Sequence, residues 1–144
     1  MSRPLLVRAE TPAKINLRLE VLGRRNDGFH EIRTWMLAVG PCDRLEARAT
    51  SSGGVTLSLA GEQATADVPA GGENLVARAA SSALAQGRRR GMLGMSDGVD
   101  LRLEKRIPSR AGLGGGSSDA AAAWIATEAA LGISFGVVVA KEVF

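Results

Sequence analysis

Apolar and polar residues alternate along several short stretches of the chain, which is the period that a half-buried β-strand produces. In the clearest run the apolar residues are Ile15, Leu17, Leu19 and Val21. In the next clearest they are Val99, Leu101 and Leu103. Turn residues separate these runs from their neighbours. The pattern predicts strands over residues 5–10, 13–22, 31–39, 45–49, 55–59 and 99–104.

Two other stretches have helical signals. Asn74 precedes a run that predicts a helix over 75–86, and Gly87 is its expected stop. The second predicted helix covers 118–131 and ends at Gly132. Its expected apolar face consists of Trp124, Ile125 and Leu131.

The order of these elements is several strands, a helix, a strand and a second helix. Asn26-Asp27-Gly28 is typical of a hairpin turn, and Pro41 with Asp43 predicts a break between two strands. Strands that are joined by short turns pair antiparallel, and helices cover their apolar face. We therefore predict an α+β fold with a mostly antiparallel, twisted sheet and helices on one face.

Composition narrows the class of protein only a little. The chain has 144 residues, a formal net charge of +3 and one cysteine, Cys42, so that an internal disulfide is excluded. Neither Cys42 nor the single histidine, His30, has partners at metal-ligand spacing. The run 88–90 of three arginines is expected to be a solvated loop rather than a nucleic-acid site. Neither a signal peptide nor an apolar run of membrane-spanning length is evident, and we expect a cytoplasmic protein without membrane or nucleic-acid partners.

The most informative stretch is 107–123, in which Gly112, Leu113, Gly114, Gly115 and Gly116 precede two serines and an alanine-rich run. Glycines allow positive φ and close approach of a ligand to the backbone, and a helix N-terminus favours an anion. The stretch therefore predicts a phosphate-binding loop. A tight connection between two elements is the alternative. The Walker pattern and the dinucleotide-binding pattern do not match, since the first lacks its lysine and the second its last glycine.

The loop resembles the phosphate-binding motif of the GHMP kinases, with Pro108, Gly112-Leu113-Gly114 and Ser117-Ser118 in the matching places. A second motif, Pro-Ala-Lys-Ile-Asn-Leu at 12–17 followed by Gly-Arg-Arg-Asn-Asp-Gly-Phe-His-Glu at 23–31, is similar to the 4-diphosphocytidyl-2-C-methyl-D-erythritol kinase branch of that superfamily. The resemblance extends to about Gly132.

This resemblance implies a fold of the GHMP kinase N-terminal type, and ATP and Mg²⁺ as cofactors. It implies transfer of a phosphoryl group to the 2-hydroxyl of the cytidine diphosphate-linked methylerythritol, in isoprenoid precursor synthesis. The ATP phosphates would lie against the glycines and against the hydroxyls of Ser117 and Ser118, and Ser118 would also hold Mg²⁺. The alternative role of both serines is helix capping.

The resemblance also assigns roles outside the loop. Lys14 would be the catalytic lysine, although the strand pattern alone equally indicates a surface lysine on the polar face. Asn16 would contact the acceptor. Asn74 and Lys105 match positions near the adenine, and their alternative roles are a helix cap and a solvent-facing lysine.

Phe29 and His30 would bind the cytosine of the acceptor by stacking and hydrogen bonding. The related kinases usually have tyrosine where this chain has Phe29; phenylalanine keeps the stacking face but lacks the hydroxyl, so that we expect stacking without a contact from a hydroxyl. The alternative is a core aromatic and a surface histidine beside the turn.

The domain prediction follows from the same resemblance. Residues 1–132 are expected to form the N-terminal ATP-binding domain, 133–144 an atypical tail of a truncated chain, and the C-terminal domain is expected to be absent. The aspartate that serves as general base would fall beyond Phe144, so that we expect no appreciable kinase activity from the 144-residue chain alone. Two alternative functions remain, another GHMP kinase of the homoserine or mevalonate type and a non-catalytic nucleotide-binding fragment.

Overall fold

The computed structural model describes residues 6–136, which form four strands and two helices. In chain order the elements are β1 (Leu6–Arg24), β2 (His30–Thr50), β3 (Val55–Ala60), α1 (Leu75–Arg89), β4 (Gly98–Glu104) and α2 (Gly115–Leu131).

The described strands make one sheet in the order β1-β2-β4-β3. β1 pairs with β2 and β2 with β4 antiparallel, whereas β3 and β4 are parallel because the crossover between them contains α1. The predicted fold class, an α+β fold with a mostly antiparallel sheet, is confirmed.

The core lies between the sheet and the two helices. Alternate residues of the central strands point into it, with Leu45 from β2 and Leu101 and Leu103 from β4 almost fully buried. The helices contribute mainly alanines, whose small side chains allow close packing of helix on sheet. The bulk of the helical side is supplied by Trp124, which meets the ring of Phe135 edge-on at 5.7 Å between centroids.

The first two strands are longer than the sequence pattern predicts. Stretches 5–10 and 13–22 form one strand, and 31–39 and 45–49 form another, so the break expected at Pro41 and Asp43 is wrong. The two strands pair along nearly their whole length, so that each stays one continuous strand despite its proline. The pairing register shifts next to Pro12. The turn at 26–28 is confirmed, with Gly28 at φ +88°.

The far half of this hairpin is an arm that the helices leave uncovered. We call residues 15–37 the hairpin arm. Its apolar side chains are largely exposed, as at Trp35, which is 65% exposed. The alternation therefore identifies the strands correctly but does not indicate burial there, because no second layer packs on the arm within residues 6–136.

Helix boundaries differ from prediction by up to three residues. α1 continues past Gly87, which is buried inside the helix where a Cβ would lie 2.5 Å from Leu93 Cδ1. α2 begins at Gly115 instead of residue 118, and Ile125 is 63% exposed rather than part of its apolar face. Asn74 caps α1, and Gly132 ends α2 in the left-handed conformation, both as predicted.

Residues 133–136 follow α2 without regular structure, and Phe135 packs into the core. The remainder of the predicted tail, 137–144, lies outside the described residues.

Replacing Trp124 by alanine tests the importance of this core. The substitution removes a fully buried indole and its contact with Phe135, so the free energy of unfolding should fall by about 3–5 kcal/mol. Urea unfolding followed by circular dichroism measures the loss without relying on tryptophan fluorescence.

The neighbouring Ile125→Ala substitution is the matched control. Its side chain is exposed on the same helix, so the free energy of unfolding should change by less than about 0.5 kcal/mol. A comparable loss for both variants would contradict the observed orientation of α2.

Candidate functional site

The connection between β4 and α2, residues 105–114, forms a tight loop. Gly112 and Gly114 adopt left-handed conformations with φ of +74° and +70°. Arg110 also has positive φ, at +55°. Residues that have a side chain rarely adopt this backbone conformation, and glycine adopts it without strain. Two of these three positions, Gly112 and Gly114, are glycines.

The N-terminus of α2 opens directly from this loop. Its N-cap is Gly114, and within the described residues no side chain accepts a hydrogen bond from the first turn. The first backbone N–H groups of a helix have no intrahelical acceptor, so those of Gly115, Gly116 and Ser117 remain available to an anion. The alternative role of Ser117 and Ser118 as helix caps is therefore wrong, because both lie inside the helix.

The two helical glycines have different surroundings. A Cβ on Gly115 would lie 3.0 Å from Ile107 Cγ2, so Gly115 allows close packing of α2 on the loop. A Cβ on Gly116 would meet only Leu75 Cδ1, at 3.6 Å. Gly115 thus faces the packed side of the helix end, and Gly116 faces its open side, where a ligand could approach the backbone.

A cavity of about 360 Å³ lies in front of this helix end. Its walls bring together residues far apart in the chain, from the segment before α1, from the end of β4 and from the glycine loop. Among the predicted binding residues its lining includes Asn74, Lys105, Gly112, Leu113, Gly114, Gly115, Gly116 and Ser117.

Lys14 reaches the loop from β1. Its backbone N–H donates to the Leu113 carbonyl at 2.8 Å, and its Nζ donates to the Gly112 carbonyl at 3.0 Å. A Cβ on Gly114 would lie 2.9 Å from both Cγ and Cε of Lys14. The description of Lys14 as an ordinary surface lysine is therefore wrong, because both its backbone and its side chain hold the loop.

Asn74 and Lys105 are both buried at the cavity wall. The Asn74 carboxamide caps α1 through the Val76 N–H at 2.9 Å and also donates to the Pro69 carbonyl. Lys105 is not the solvent-facing strand lysine of the alternative interpretation. It follows β4 and is 4% exposed.

Lys105 is the centre of a buried cluster that consists of Thr11, Asp43, Lys105 and Asp119. Its Nζ donates to Asp119 Oδ2 at 2.8 Å and also to Asp43. The Thr11 hydroxyl donates to the other oxygen of Asp119 at 2.5 Å. Asp119 thereby joins α2 to the sheet.

Burial and hydrogen bonding oppose each other in this cluster. Burial alone would lower the pKa of Lys105, but the bonds to Asp119 and Asp43 outweigh it and raise that pKa above its ordinary value. Burial raises the pKa of Asp119, against the lowering effect of the bonds from Lys105 and Thr11. Since Asp119 already has these two partners, its carboxylate is not free to act as a general base.

The predicted acceptor residues lie elsewhere. Asn16, Phe29 and His30 belong to the hairpin and are absent from the cavity lining. Phe29 is 73% exposed beside the turn, so the alternative of a core aromatic is wrong. His30 begins β2 opposite Arg24 and is exposed. The structure thus gathers the predicted nucleotide residues in one cavity, except Ser118, which is absent from the cavity lining, as is Lys14. It leaves the predicted acceptor residues on the hairpin.

Two further findings concern metal binding and membrane spanning. In residues 6–136 no three His, Cys, Asp or Glu side chains come together in a group able to hold a metal ion. Neither of the described helices has the length and apolar character needed to cross a membrane.

Comparison with known proteins agrees with this geometry. Residues 74–140 match the family described as GHMP kinases N terminal domain. The chain is 48% identical over 122 residues to the 4-diphosphocytidyl-2-C-methyl-D-erythritol kinase of Pelotomaculum thermopropionicum, which covers 85% of this chain and 39% of the relative. It is 38% identical over 128 residues to the kinase of the same name from Geobacter metallireducens. That match covers 89% of this chain and 42% of the relative. The chain thus spans about two fifths of the length of these relatives.

Solved structures give the same result. A crystal structure of 4-(cytidine 5'-diphospho)-2C-methyl-D-erythritol kinase superposes with a TM-score of 0.70 at 37% identity, over 96% of this chain and 46% of that one. Homoserine kinase from Cytophaga hutchinsonii shares the fold, with a TM-score of 0.64 at 18% identity. The superposition covers 94% of this chain and 38% of that one.

Residues 74–140 therefore match the N-terminal domain of the GHMP kinases, and the chain has the fold of that domain. Within that family its similarity is to the 4-diphosphocytidyl-2-C-methyl-D-erythritol kinases.

The contact between Lys14 and the loop predicts different costs for two glycine substitutions. Gly112→Ala forces alanine into a left-handed conformation in open space, which should cost about 1–2 kcal/mol in the free energy of unfolding. Gly114→Ala imposes the same strain and also a clash with the Lys14 side chain, so its cost should be larger. Urea unfolding of the two variants measures the difference.

The same two substitutions in a Lys14→Ala background isolate the clash between the new Cβ at position 114 and the lysine side chain. Lys14→Ala removes the Cγ and Cε atoms, so in that background Gly114→Ala and Gly112→Ala should cost the same. Equal costs already in the presence of Lys14 would mean that the lysine is not held against the loop.

Proposed function

We propose that this domain binds ATP through the glycine loop and serves a kinase that phosphorylates the 2-hydroxyl of 4-diphosphocytidyl-2-C-methyl-D-erythritol. The reaction would be a cytoplasmic step in isoprenoid precursor synthesis. The names of the relatives at 38–48% identity support the acceptor, and the geometry of the cavity supports the nucleotide.

The open N-terminus of α2 is the observation on which the proposal rests. Its first residues line the cavity beside left-handed glycines, and no side chain within residues 6–136 caps their N–H groups. The positive end of the helix dipole adds to the attraction of these groups for phosphate. In the proposed complex these donors bind the β- and γ-phosphates, and the adenosine extends toward Asn74 and Lys105 at the cavity wall. A loop that served only as a connection would not need an uncapped helix end facing a cavity.

Mg²⁺ fits this site through its oxygen donors. The hydroxyls of Ser117 and Ser118 lie in the first turn of α2 without a capping role, and hydroxyl oxygen is a ligand type that Mg²⁺ accepts. Ser117 lines the cavity, and Ser118, half-buried beside it in the same turn, is the residue that would hold the ion, with phosphate oxygens as further ligands. When bound, Mg²⁺ would offset the negative charge of the phosphates.

Lys14 is the residue we assign to catalysis. Its Nζ rests on the Gly112 carbonyl, at the edge of the proposed phosphate site. An ammonium group there can orient the acceptor hydroxyl, favour its deprotonation and stabilise the charge on the transferred phosphoryl group. Because phosphoryl transfer depends mainly on positioning and charge stabilisation, a single well-placed lysine has a large effect.

The acceptor would lie along the hairpin arm. Phe29 offers an exposed ring for stacking on cytosine, with His30 next to it as a hydrogen-bonding group. Asn16 lies on the same hairpin and would contact the rest of the acceptor. The motif at 23–31 favours this acceptor over homoserine or mevalonate.

ATP binding by the full 144-residue chain tests the nucleotide part of the proposal. Gly116→Ala places a methyl group on the open side of the helix end, where Leu75 is its one close neighbour within residues 6–136. It should weaken ATP binding at least about tenfold, equal to about 1.4 kcal/mol, while helix propensity maintains the fold. Titration calorimetry with ATP and Mg²⁺ measures the affinity, and urea unfolding measures stability.

Gly23→Ala is the matched control, because a Cβ there also meets open space but lies on the hairpin. Its ATP affinity should equal that of the parent chain. No ATP binding by the parent chain, or equal affinity of the Gly116 variant, would refute the assignment of the loop to phosphate.

Turnover is best measured in a chimera, since the chain spans about two fifths of its relatives. Residues 1–132 would replace the corresponding part of the Pelotomaculum thermopropionicum kinase. In this chimera Lys14→Met should lower kcat by a factor of about 10² or more, because it removes charge stabilisation at the reacting phosphate. The melting temperature should fall by only a few degrees.

Arg102→Met, which removes an exposed cation from β4, should leave kcat unchanged. The same assay separates the alternatives. Phosphorylation of homoserine or mevalonate in place of the cytidine diphosphate-linked acceptor would indicate another GHMP kinase. ATP binding without turnover of any acceptor would favour a non-catalytic nucleotide-binding domain.

A further inference from the structure

The buried cluster of Thr11, Asp43, Lys105 and Asp119 lies directly beneath the glycine loop. Its four residues are at most 4% exposed, so none of its three charged groups is an ordinary surface charge. Two of them, Lys105 and Asp119, also form part of the cavity wall.

Both ends of the loop are fastened to this cluster. At the first end, Asp43 Oδ1 accepts hydrogen bonds from the backbone N–H groups of Arg106 and Ile107, at 2.5 and 2.8 Å. At the other end, Asp119 lies in α2 shortly after the open helix end and is bound to Lys105 at 2.8 Å. The cluster therefore fixes where the loop begins and where the helix end points.

The cluster also reaches the strand that carries Lys14. Thr11 lies three residues before Lys14 in β1 and donates its hydroxyl to Asp119. Lys14 in turn donates its backbone N–H to the Leu113 carbonyl in the loop. One hydrogen bond from Thr11 thus links the strand of the proposed catalytic lysine to the helix of the proposed phosphate site.

Stability alone does not account for such an arrangement. Taking three charges out of water is costly, and well-packed apolar side chains often replace buried ion pairs without loss of stability. What apolar contacts lack is the directionality of hydrogen bonds, which holds backbone groups at fixed positions. The observed bonds go to the two ends of the loop and to the strand beside it, where fixed positions matter for a site.

We infer that the buried cluster is a positioning device, in which Thr11 and Asp119 hold the Lys14 strand in register with the glycine loop. The inference rests on the proposed function in taking the loop as the phosphate site. Thr11 does not line the cavity, so it acts on a ligand only through its effect on the loop and Lys14.

Thr11→Val tests this in the full chain, because valine keeps the shape of threonine and replaces its hydroxyl with a methyl group, which cannot donate to Asp119. We expect the Lys14 backbone N–H to exchange with solvent about tenfold faster, relative to the Leu101 N–H in the core strand β4. We expect ATP to bind about tenfold more weakly. Hydrogen exchange followed by NMR gives the first quantity without any ligand, and titration calorimetry gives the second.

Two further variants separate positioning from general destabilisation. Thr11→Ser retains the hydroxyl and should restore both the exchange rate of Lys14 and the ATP affinity. Thr56→Val removes a similar threonine-to-aspartate bond, from Thr56 to Asp100 between β3 and β4, outside the site. It should leave both quantities at the values of the parent chain.

Unchanged exchange of Lys14 in Thr11→Val would overturn the inference, whatever happens to ATP binding. Faster exchange with unchanged ATP affinity would overturn its connection to the phosphate site. If the parent chain does not bind ATP, the proposed function fails, and the exchange rates still decide whether the cluster holds the strand against the loop.

Discussion

Lys105 places one positive charge between two buried carboxylates that come from different parts of the fold. Asp43 belongs to β2 and Asp119 to α2, so the ion pairs fix the second helix against the sheet at the end where the loop begins. Breaking such a contact on one side leaves an uncompensated buried charge, which costs far more than the net value of the pair. The position of the open helix end, and with it the cavity, therefore depends on this ammonium group.

The described part of the molecule has two unlike regions. Near the cluster, the sheet is covered by the helices, and its side chains are buried. Along the hairpin arm the strands continue without a covering layer, and large apolar side chains such as Trp35 and Met36 are exposed. The proposed nucleotide site lies in the first region, where positions are fixed by packing. The proposed acceptor residues lie on the second, where the turn at Gly28 and cross-strand pairing set the backbone.

Local patterns in the sequence predicted what depends on local chemistry. The strands, the cap at Asn74, the hairpin turn and the glycine loop all follow from residues a few positions apart. The fusion of the predicted short strands did not, because pairing between β1 and β2 carries the backbone through Pro12 and Pro41. The buried cluster gave no local signal either. Thr11 and Asp119 are 108 residues apart, and only the folded chain brings them together.

Lys14 shows how such long-range contacts change the meaning of a residue. Strand periodicity assigns it to a polar face, where it would be an ordinary surface lysine. In the folded chain its ammonium group has the Gly112 carbonyl as its partner, and its aliphatic stem covers Gly114. Lys14 has a neutral carbonyl as its partner, whereas Lys105 is paired with two carboxylates. Of the two lysines beside the loop, the one with the weaker partner is therefore the one suited to meet a phosphate.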